Sequence, residues 1–237
     1  MEIGAGLGSL TVALAATGAE VVAVEFDRRL LPALEEVTED LDNVEVVHAD
    51  ATDLDWGALL GSGRWSLCAN LPYNVATPLL LDLLGGVPQV RDYLVMVQRE
   101  VGERLAARPG REGYGAVSLK VGYRAEASVV RRVPATVFWP APKVDSVLVR
   151  LIPRDEPGSG LPEELRDVDP ERLFATIDAA FAERRKTMRN AVRRLAGLDA
   201  AGSDAVLAAA GVGSSTRPEE LDLAAFARVT LALEDRA

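Results

Sequence analysis

Asn70-Leu71-Pro72-Tyr73-Asn74 follows an apolar run, Trp65-Ser66-Leu67-Cys68-Ala69, and precedes a helix opened by Thr77-Pro78. The spacing predicts a rigid polar loop just past the carboxyl end of a strand, where open α/β sheets place their chemistry. Asn70 offers a side-chain carbonyl acceptor. Pro72 drives Leu71 towards an extended conformation, which leaves the Leu71 carbonyl as a second acceptor. Tyr73 adds a flat aromatic face. Two acceptors beside an aromatic plate suit a planar group with an exocyclic amine, and adenine fits that description. The plainer reading is a strand-to-helix turn whose Asn caps the next helix.

Upstream, Met1-Glu2-Ile3 reads as the tail of a strand that runs into Gly4-Ala5-Gly6-Leu7-Gly8. Glycines let the backbone pass close to a ligand, and the helix starting near Ser9 aims its N-terminus there. A second strand, Val21–Val24, ends in Glu25, about 20 residues past the glycines, where a carboxylate meets ribose hydroxyls. Asp27 is expected to cap a helix reaching about Thr38. A third strand, Val44–Val47, is followed by His48-Ala49-Asp50, and Asp50 can serve the amine of a cofactor adenine or simply a turn. His48 is read as a strand-end residue and Cys68 as a small buried one. A fifth strand is expected at Tyr93–Val97.

Downstream, Gln98-Arg99-Glu100 begins a basic helix expected to reach Arg108, and Tyr114–Tyr123 reads as another helix. Two strand-like runs, 126–133 and 144–152, flank Val137-Phe138-Trp139-Pro140-Ala141-Pro142-Lys143-Val144-Asp145-Ser146. Its prolines fix an extended loop that would hold Phe138 in place, either over a ligand or as a core aromatic under a hairpin. Residues 153–168 read as a linker. Helices are expected over about 170–182, 186–196, 203–210 and 223–234. The expected domains are therefore 1–155, an α/β sheet, and 156–237, an all-helical unit. From 181 to 194 there are six bases and one acid, including Arg184, Arg185, Lys186 and Arg189.

The 237 residues are 49% apolar, which suffices for a large domain plus a small one. No apolar run approaches the 18 or so residues of a membrane span, and no signal peptide is expected, because the first residues do not read as a basic region followed by an apolar one. One Cys and one His exclude a disulfide framework and the usual zinc patterns, so no metal is expected. A cytoplasmic, monomeric protein is the expectation. The net charge of −10 is unevenly spread. Residues 1–60 hold 13 acids and 2 bases, 61–154 hold 7 acids and 13 bases, and 155–237 hold 16 acids and 11 bases. The basic excess coincides with the Asn70 loop, and phosphate binding depends on such local clusters.

Four stretches in this order resemble one family: Glu2 to Gly8, Asn70 to Asn74, Phe138 to Ser146, and Phe181-Ala182-Glu183-Arg184-Arg185-Lys186. They are similar to the S-adenosylmethionine-dependent ribosomal RNA adenine N6-dimethyltransferases of the KsgA/RsmA type, over essentially the whole chain. The resemblance implies a class I methyltransferase, with a Rossmann-like doubly wound sheet, mostly parallel with an antiparallel hairpin, and a small helical RNA-binding domain. It implies S-adenosyl-L-methionine as cofactor, and as substrate two adjacent adenosines in the 3′-terminal hairpin of small-subunit rRNA within a pre-ribosomal particle. It carries cofactor contacts onto Gly4, Glu25, Asp50 and Asn70, to which Gly6 and Gly8 are added on backbone grounds. Asn70, Leu71, Pro72, Tyr73 and Phe138 would hold the target base, and Arg184, Arg185, Lys186 and Arg189 the RNA.

The family carries a few dozen residues before the Glu-Ile-Gly motif, so a start assigned too late or a truncation is expected here, and a truncated form should bind cofactor weakly. Three alternatives stay open. Erythromycin-resistance methyltransferases share the sheet but usually read Asn-Ile-Pro-Tyr and lack the Arg-Arg-Lys junction, so Leu71 and Arg184–Lys186 disfavour them. A non-catalytic ribosome-assembly factor is compatible with a truncated chain. An NAD-dependent dehydrogenase would account for the glycines and Glu25 but not for Asn70–Tyr73.

Overall fold

A computed structural model describes residues 1–72, 75–183 and 186–235. In chain order its strands and helices are β1 (Glu2–Ile3), α1 (Ser9–Ala15), β2 (Val21–Glu25), α2 (Leu31–Thr38), β3 (Val44–His48), α3 (Trp56–Leu60), β4 (Trp65–Asn70), α4 (Ala76–Gly86) and β5 (Val90–Gln98). They continue with α5 (Arg99–Leu105), α6 (Ala116–Arg124), β6 (Ala125–Val133), β7 (Ser146–Pro153), α7 (Pro170–Phe181), α8 (Met188–Ala196), α9 (Ala200–Ala209) and α10 (Leu223–Glu234). Two compact units result: Met1–Gly102 with Ala127–Pro153, and Glu103–Glu126 with Arg154–Ala237.

The first unit is built on a three-stranded and a four-stranded sheet that join edge to edge. β1, β2 and β3 pair in parallel, β4 pairs in parallel with β5, and β5 pairs antiparallel with β7, which adjoins β6. The seam between the two halves lies at Met1, whose carbonyl accepts from Cys68 N at 3.0 Å while its amine donates to Ser66 O at 2.8 Å. The spatial order is therefore β3-β2-β1-β4-β5-β7-β6, a doubly wound sheet with one reversed strand near its edge. All five residues of β2 are buried, as a strand covered on both faces requires. β6 lies at the edge, and most of its residues are exposed, Arg131 and Arg132 among them; charges at such positions discourage pairing with another chain.

Tyr93 sits at the centre of β5 with no exposed surface, and its hydroxyl has no hydrogen-bond partner among the described residues. Burial pushes its phenol above the usual range. An unmatched buried hydroxyl costs about 1–3 kcal/mol. Tyr93→Phe is therefore expected to raise the denaturant midpoint without changing the slope of the transition. A loss of stability would mean that the hydroxyl has a partner.

The second unit is helical and packs around Phe226, Leu173, Ile177, Met188, Val206 and Leu207. Phe181 stacks on Phe226 with ring centroids 6.0 Å apart, and Tyr123 meets Phe174 edge-on at 5.4 Å. Asp169, Asp199 and Asp222 cap α7, α9 and α10, each accepting from the backbone N–H three residues on.

The structure departs from several sequence expectations. A single boundary between 155 and 156 is not what the chain adopts. Residues 103–126 join the helical unit, because Leu119 and Tyr123 of α6 are buried in its core and the Tyr114 hydroxyl donates to Leu221 O at 2.8 Å. Nor is 153–168 a free linker: Leu161, Leu165 and Val168 are buried in the same core. α5 stops at Leu105 instead of Arg108. Asp27 does not cap α2, which begins four residues later; its carboxylate instead closes a local turn onto Arg29 N at 3.0 Å and pairs with the Arg29 guanidinium.

Candidate active site

The carboxyl ends of β1 and β2 and the turn after β3 open onto a cavity of about 420 Å³, lined by residues that include Gly4, Glu25, Phe26, Asp50 and Pro72. That volume lies within the range of small-molecule sites. Three of the residues expected to meet a cofactor, Gly4, Glu25 and Asp50, thus share one wall system, and Pro72 of the Asn70 loop closes it. Gly6, Gly8 and Asn70 are not among its lining residues.

The glycine turn is shaped by its neighbours. Gly4 and Gly6 both lie in the left-handed region, with φ of 75° and 61°, which side chains other than glycine rarely adopt. This conformation lets Gly4 N donate to Val24 O at 2.8 Å and turns Gly6 N onto Glu25 Oε2 at 2.7 Å. Glu25 Oε1 in turn accepts from Asp27 N at 2.7 Å. A buried carboxylate, only 6% exposed, is thereby held by one backbone N–H on each oxygen. Each oxygen keeps a lone pair for a further donor. The geometry suits a vicinal diol, since two hydroxyls can meet two fixed, oriented acceptors.

Asp50 stands across the cavity. Its Oδ1 accepts from Thr52 N at 2.9 Å and from the Thr52 hydroxyl at 2.7 Å, and these bonds hold its acid below the usual carboxylate range. Among the described residues its second oxygen makes no hydrogen bond, and Asp50 lines the cavity. Ile3, Val24, Val75 and Leu79 give apolar walls, and Phe26, 69% exposed, adds an aromatic one. Sequence reasoning passed over Phe26. Its signal was position alone, directly after the strand-end acid.

The Asn70 loop lies at the same edge. Asn70 ends β4 opposite Met96 of β5, and Leu71, buried to 1% exposure, donates its N–H to Met96 O at 3.1 Å. Leu71 is thus the anchor that keeps the loop on the sheet. Pro72 O accepts from Val75 N and Ala76 N, both at 3.2 Å, starting α4. An added Cβ on Gly4 would stand 3.7 Å from Pro72 Cδ, so the two loops are in direct contact. Tyr73 lies outside the described residues.

The 134–145 loop reaches this edge by a different route. Ser146, at the start of β7, pairs with Gln98 at the end of β5, two residues beyond the partner of Asn70. Asp145 pins the loop base: its Oδ1 accepts from Ala135 N and its carbonyl from Arg99 N, both at 3.0 Å. Phe138 is partly exposed in this loop and does not line the cavity.

The basic cluster belongs to the second unit. Lys186 is exposed just before α8, while Arg184 and Arg185 lie outside the described residues. Arg189 holds Asp204 through two bonds of 2.6 and 2.8 Å and the Ser214 hydroxyl at 3.0 Å, so its guanidinium already has an internal anion. Arg193, on the same helix, is exposed. Among the described residues no helix is long and apolar enough to cross a membrane.

The family model described as ribosomal RNA adenine dimethylase matches residues 1–233. A protein of Cutibacterium acnes named ribosomal RNA small subunit methyltransferase A is 45% identical over 240 residues, covering 98% of this chain and 78% of that one. A protein of the same name from Streptomyces avermitilis is 44% identical over 234 residues, covering 97% and 76%. Among solved structures, a dimethyladenosine transferase from Plasmodium falciparum has the same fold, with a TM-score of 0.77 at 24% identity over 99% of this chain and 89% of that one. The 23S rRNA methyltransferase ErmE matches with a TM-score of 0.69 at 25% identity, over 98% and 89%.

Proposed function

The chain belongs to the ribosomal RNA adenine dimethylase family, and from that premise we propose that it methylates N6 of two adjacent adenosines in the 3′-terminal hairpin of small-subunit rRNA. S-adenosyl-L-methionine is its cofactor. The observation that carries this reading is the convergence of Gly4, Glu25, Asp50 and Pro72 on one cavity beside Asn70 and Leu71. Small-subunit rRNA is preferred to the large-subunit RNA named for ErmE because relatives at 44–45% identity carry the small-subunit name. We place the reaction in the cytoplasm, on a pre-ribosomal particle, with the enzyme as a monomer.

The residues present fit the cofactor. Glu25 would hold the ribose hydroxyls, Asp50 the adenine amine, and Phe26 with the apolar walls the adenine ring. The bound cofactor supplies a methyl group on a positively charged sulfur. The protein's own task is to present the target. Adenine N6 is a weak nucleophile because its lone pair is delocalised into the ring. Acceptors on the Asn70 amide and the Leu71 carbonyl would take the amino hydrogens and return electron density to that nitrogen. No strong base is needed, since the nitrogen sheds its proton readily once alkylated. Holding the reacting atoms in line can supply roughly 7–11 kcal/mol of the barrier. Extruding the base costs a few kcal/mol. Stacking on Tyr73 and Phe138 would return about 1–3 kcal/mol per face.

Labelled S-adenosylmethionine offered with unmethylated small- and large-subunit particles together tests the substrate choice. Label is expected on small-subunit RNA alone; label on large-subunit RNA would overturn it. The helical unit's share is tested separately. Replacing Arg184, Arg185 and Lys186 with Ala should weaken particle binding and flatten its salt dependence by about one unit of slope per lost phosphate contact. Wild-type affinity and slope would reduce the cluster to a solvated helix junction.

A further inference from the structure

The protein has three tryptophans, and two are used structurally. Trp56 is 7% exposed and donates to Ala51 O at 3.1 Å; Trp65 is partly buried and donates to Leu60 O at 3.0 Å. Trp139 is 97% exposed. Leaving so large an apolar side chain in water forgoes the burial that normally makes tryptophan worth having in a fold. Its position is not arbitrary. It adjoins Phe138 in the loop whose base is pinned by Asp145 at the carboxyl edge of the sheet, and β7 and β4 flank β5 there, so the loop rises about two strand spacings, roughly 10 Å, from Asn70. The chain from 131 to 144 carries Arg131, Arg132 and Lys143 and no acid. An exposed aromatic among bases, at the edge where a nucleotide must enter, has the makings of a single-strand stacking platform.

We propose that Trp139 stacks on the nucleobase adjoining the one held in the active site. The inference rests on the methyl-transfer function above and adds a subsite to it. Extruding one adenosine strips a stacking partner from its neighbour, and the indole face replaces that partner. Lys143 and Arg131 meet the phosphates on either side. The occupant is RNA in preference to a protein surface because the only charges on 131–144 are the bases Arg131, Arg132 and Lys143, and the loop lies at the catalytic edge.

The test pairs Trp139→Ala with small-subunit particles whose 3′-terminal hairpin carries an abasic nucleotide on one side of the target adenosine or the other. On intact RNA, Trp139→Ala should lower kcat/KM by about fivefold to a hundredfold, the worth of one base–aromatic stack. On one of the two abasic RNAs the wild type should fall to the variant's level, and the substitution should cost nothing further. An equal loss on all three RNAs would assign Trp139 to some other contact, a protein one included, and overturn the proposal, as would no loss on intact RNA. Binding supplies an arm independent of catalysis. Without cofactor, intact RNA should quench tryptophan emission in the wild type and not in Trp139→Phe, and unchanged wild-type emission would also overturn the stack. Quenching without methylation of any RNA would instead leave the stack standing and remove the proposed activity. With its indole fully in solvent, Trp139→Ala should melt with the wild type, so the losses are not losses of fold.

Discussion

Asn70→Ala should lower turnover by about a hundredfold or more while leaving RNA affinity close to wild type. The reason is that the amide oxygen is asked to help most as N6 gains positive charge, and groups aimed at developing charge contribute on that scale. Leu71 N is bonded to Met96 O independently of the Asn70 side chain, so the loop should keep its place. Single-turnover methylation separates the chemical step from binding. The same assay on position 73 distinguishes stacking from hydrogen bonding. Tyr73→Ala should lose most activity, whereas Tyr73→Phe keeps the ring and should retain much of it. A phenylalanine variant as inactive as the alanine one would make the hydroxyl the working group. Near-normal turnover in Asn70→Ala would remove the acceptor from the mechanism.

Glu25→Ala should weaken S-adenosylmethionine binding at least tenfold by calorimetry. Two effects add. The ribose would lose its acceptor, and Gly6 N and Asp27 N would lose theirs, at about 1.5–3 kcal/mol for each bond to a charged group. A lower melting temperature should therefore accompany the weaker binding. Glu25→Gln sharpens the test, because its amide would set an NH2 against one of the two N–H donors while the other oxygen keeps its bond. It should fall between wild type and alanine in both measurements. Unchanged cofactor affinity in Glu25→Ala would take Glu25 out of the site, and tight binding of NAD by the wild type would count against the assignment of the cavity.

Much of this site was legible because local chemistry wrote it. The glycine turn, with Gly4 and Gly6 at positive φ, and the acid that ends the buried β2 can each be read from a few neighbouring residues. Phe26 was not legible, since nothing in its neighbours distinguishes a cavity wall from a stray exposed aromatic; only the approach of Asp50 and Pro72 makes it one. The domain division failed for the opposite reason. Leu119 and Tyr123 of α6 have an apolar pattern that says they must be buried, but not against what, and the rest of their core runs from Leu161 to Val229, far along the chain. The Pro- and Gly-rich stretch at 153–168 reads as polar connection, and its few apolar residues, Leu161, Leu165 and Val168, gain meaning only once that same core exists. Arg189 reads as part of a basic cluster, and only the fold reveals Asp204 beside it.

The central claim is that the cavity around Glu25 and the Asn70 loop together serve adenine dimethylation. It is tested most directly by incubating the protein with S-adenosylmethionine and unmethylated small-subunit particles, then digesting the RNA to nucleosides for mass spectrometry, with primer extension to locate the change. N6,N6-dimethyladenosine, with extension blocked at two adjacent adenosines of the 3′-terminal hairpin, is the expected result. Cofactor bound tightly with no methylated adenosine, or methylation at any other base, would contradict it.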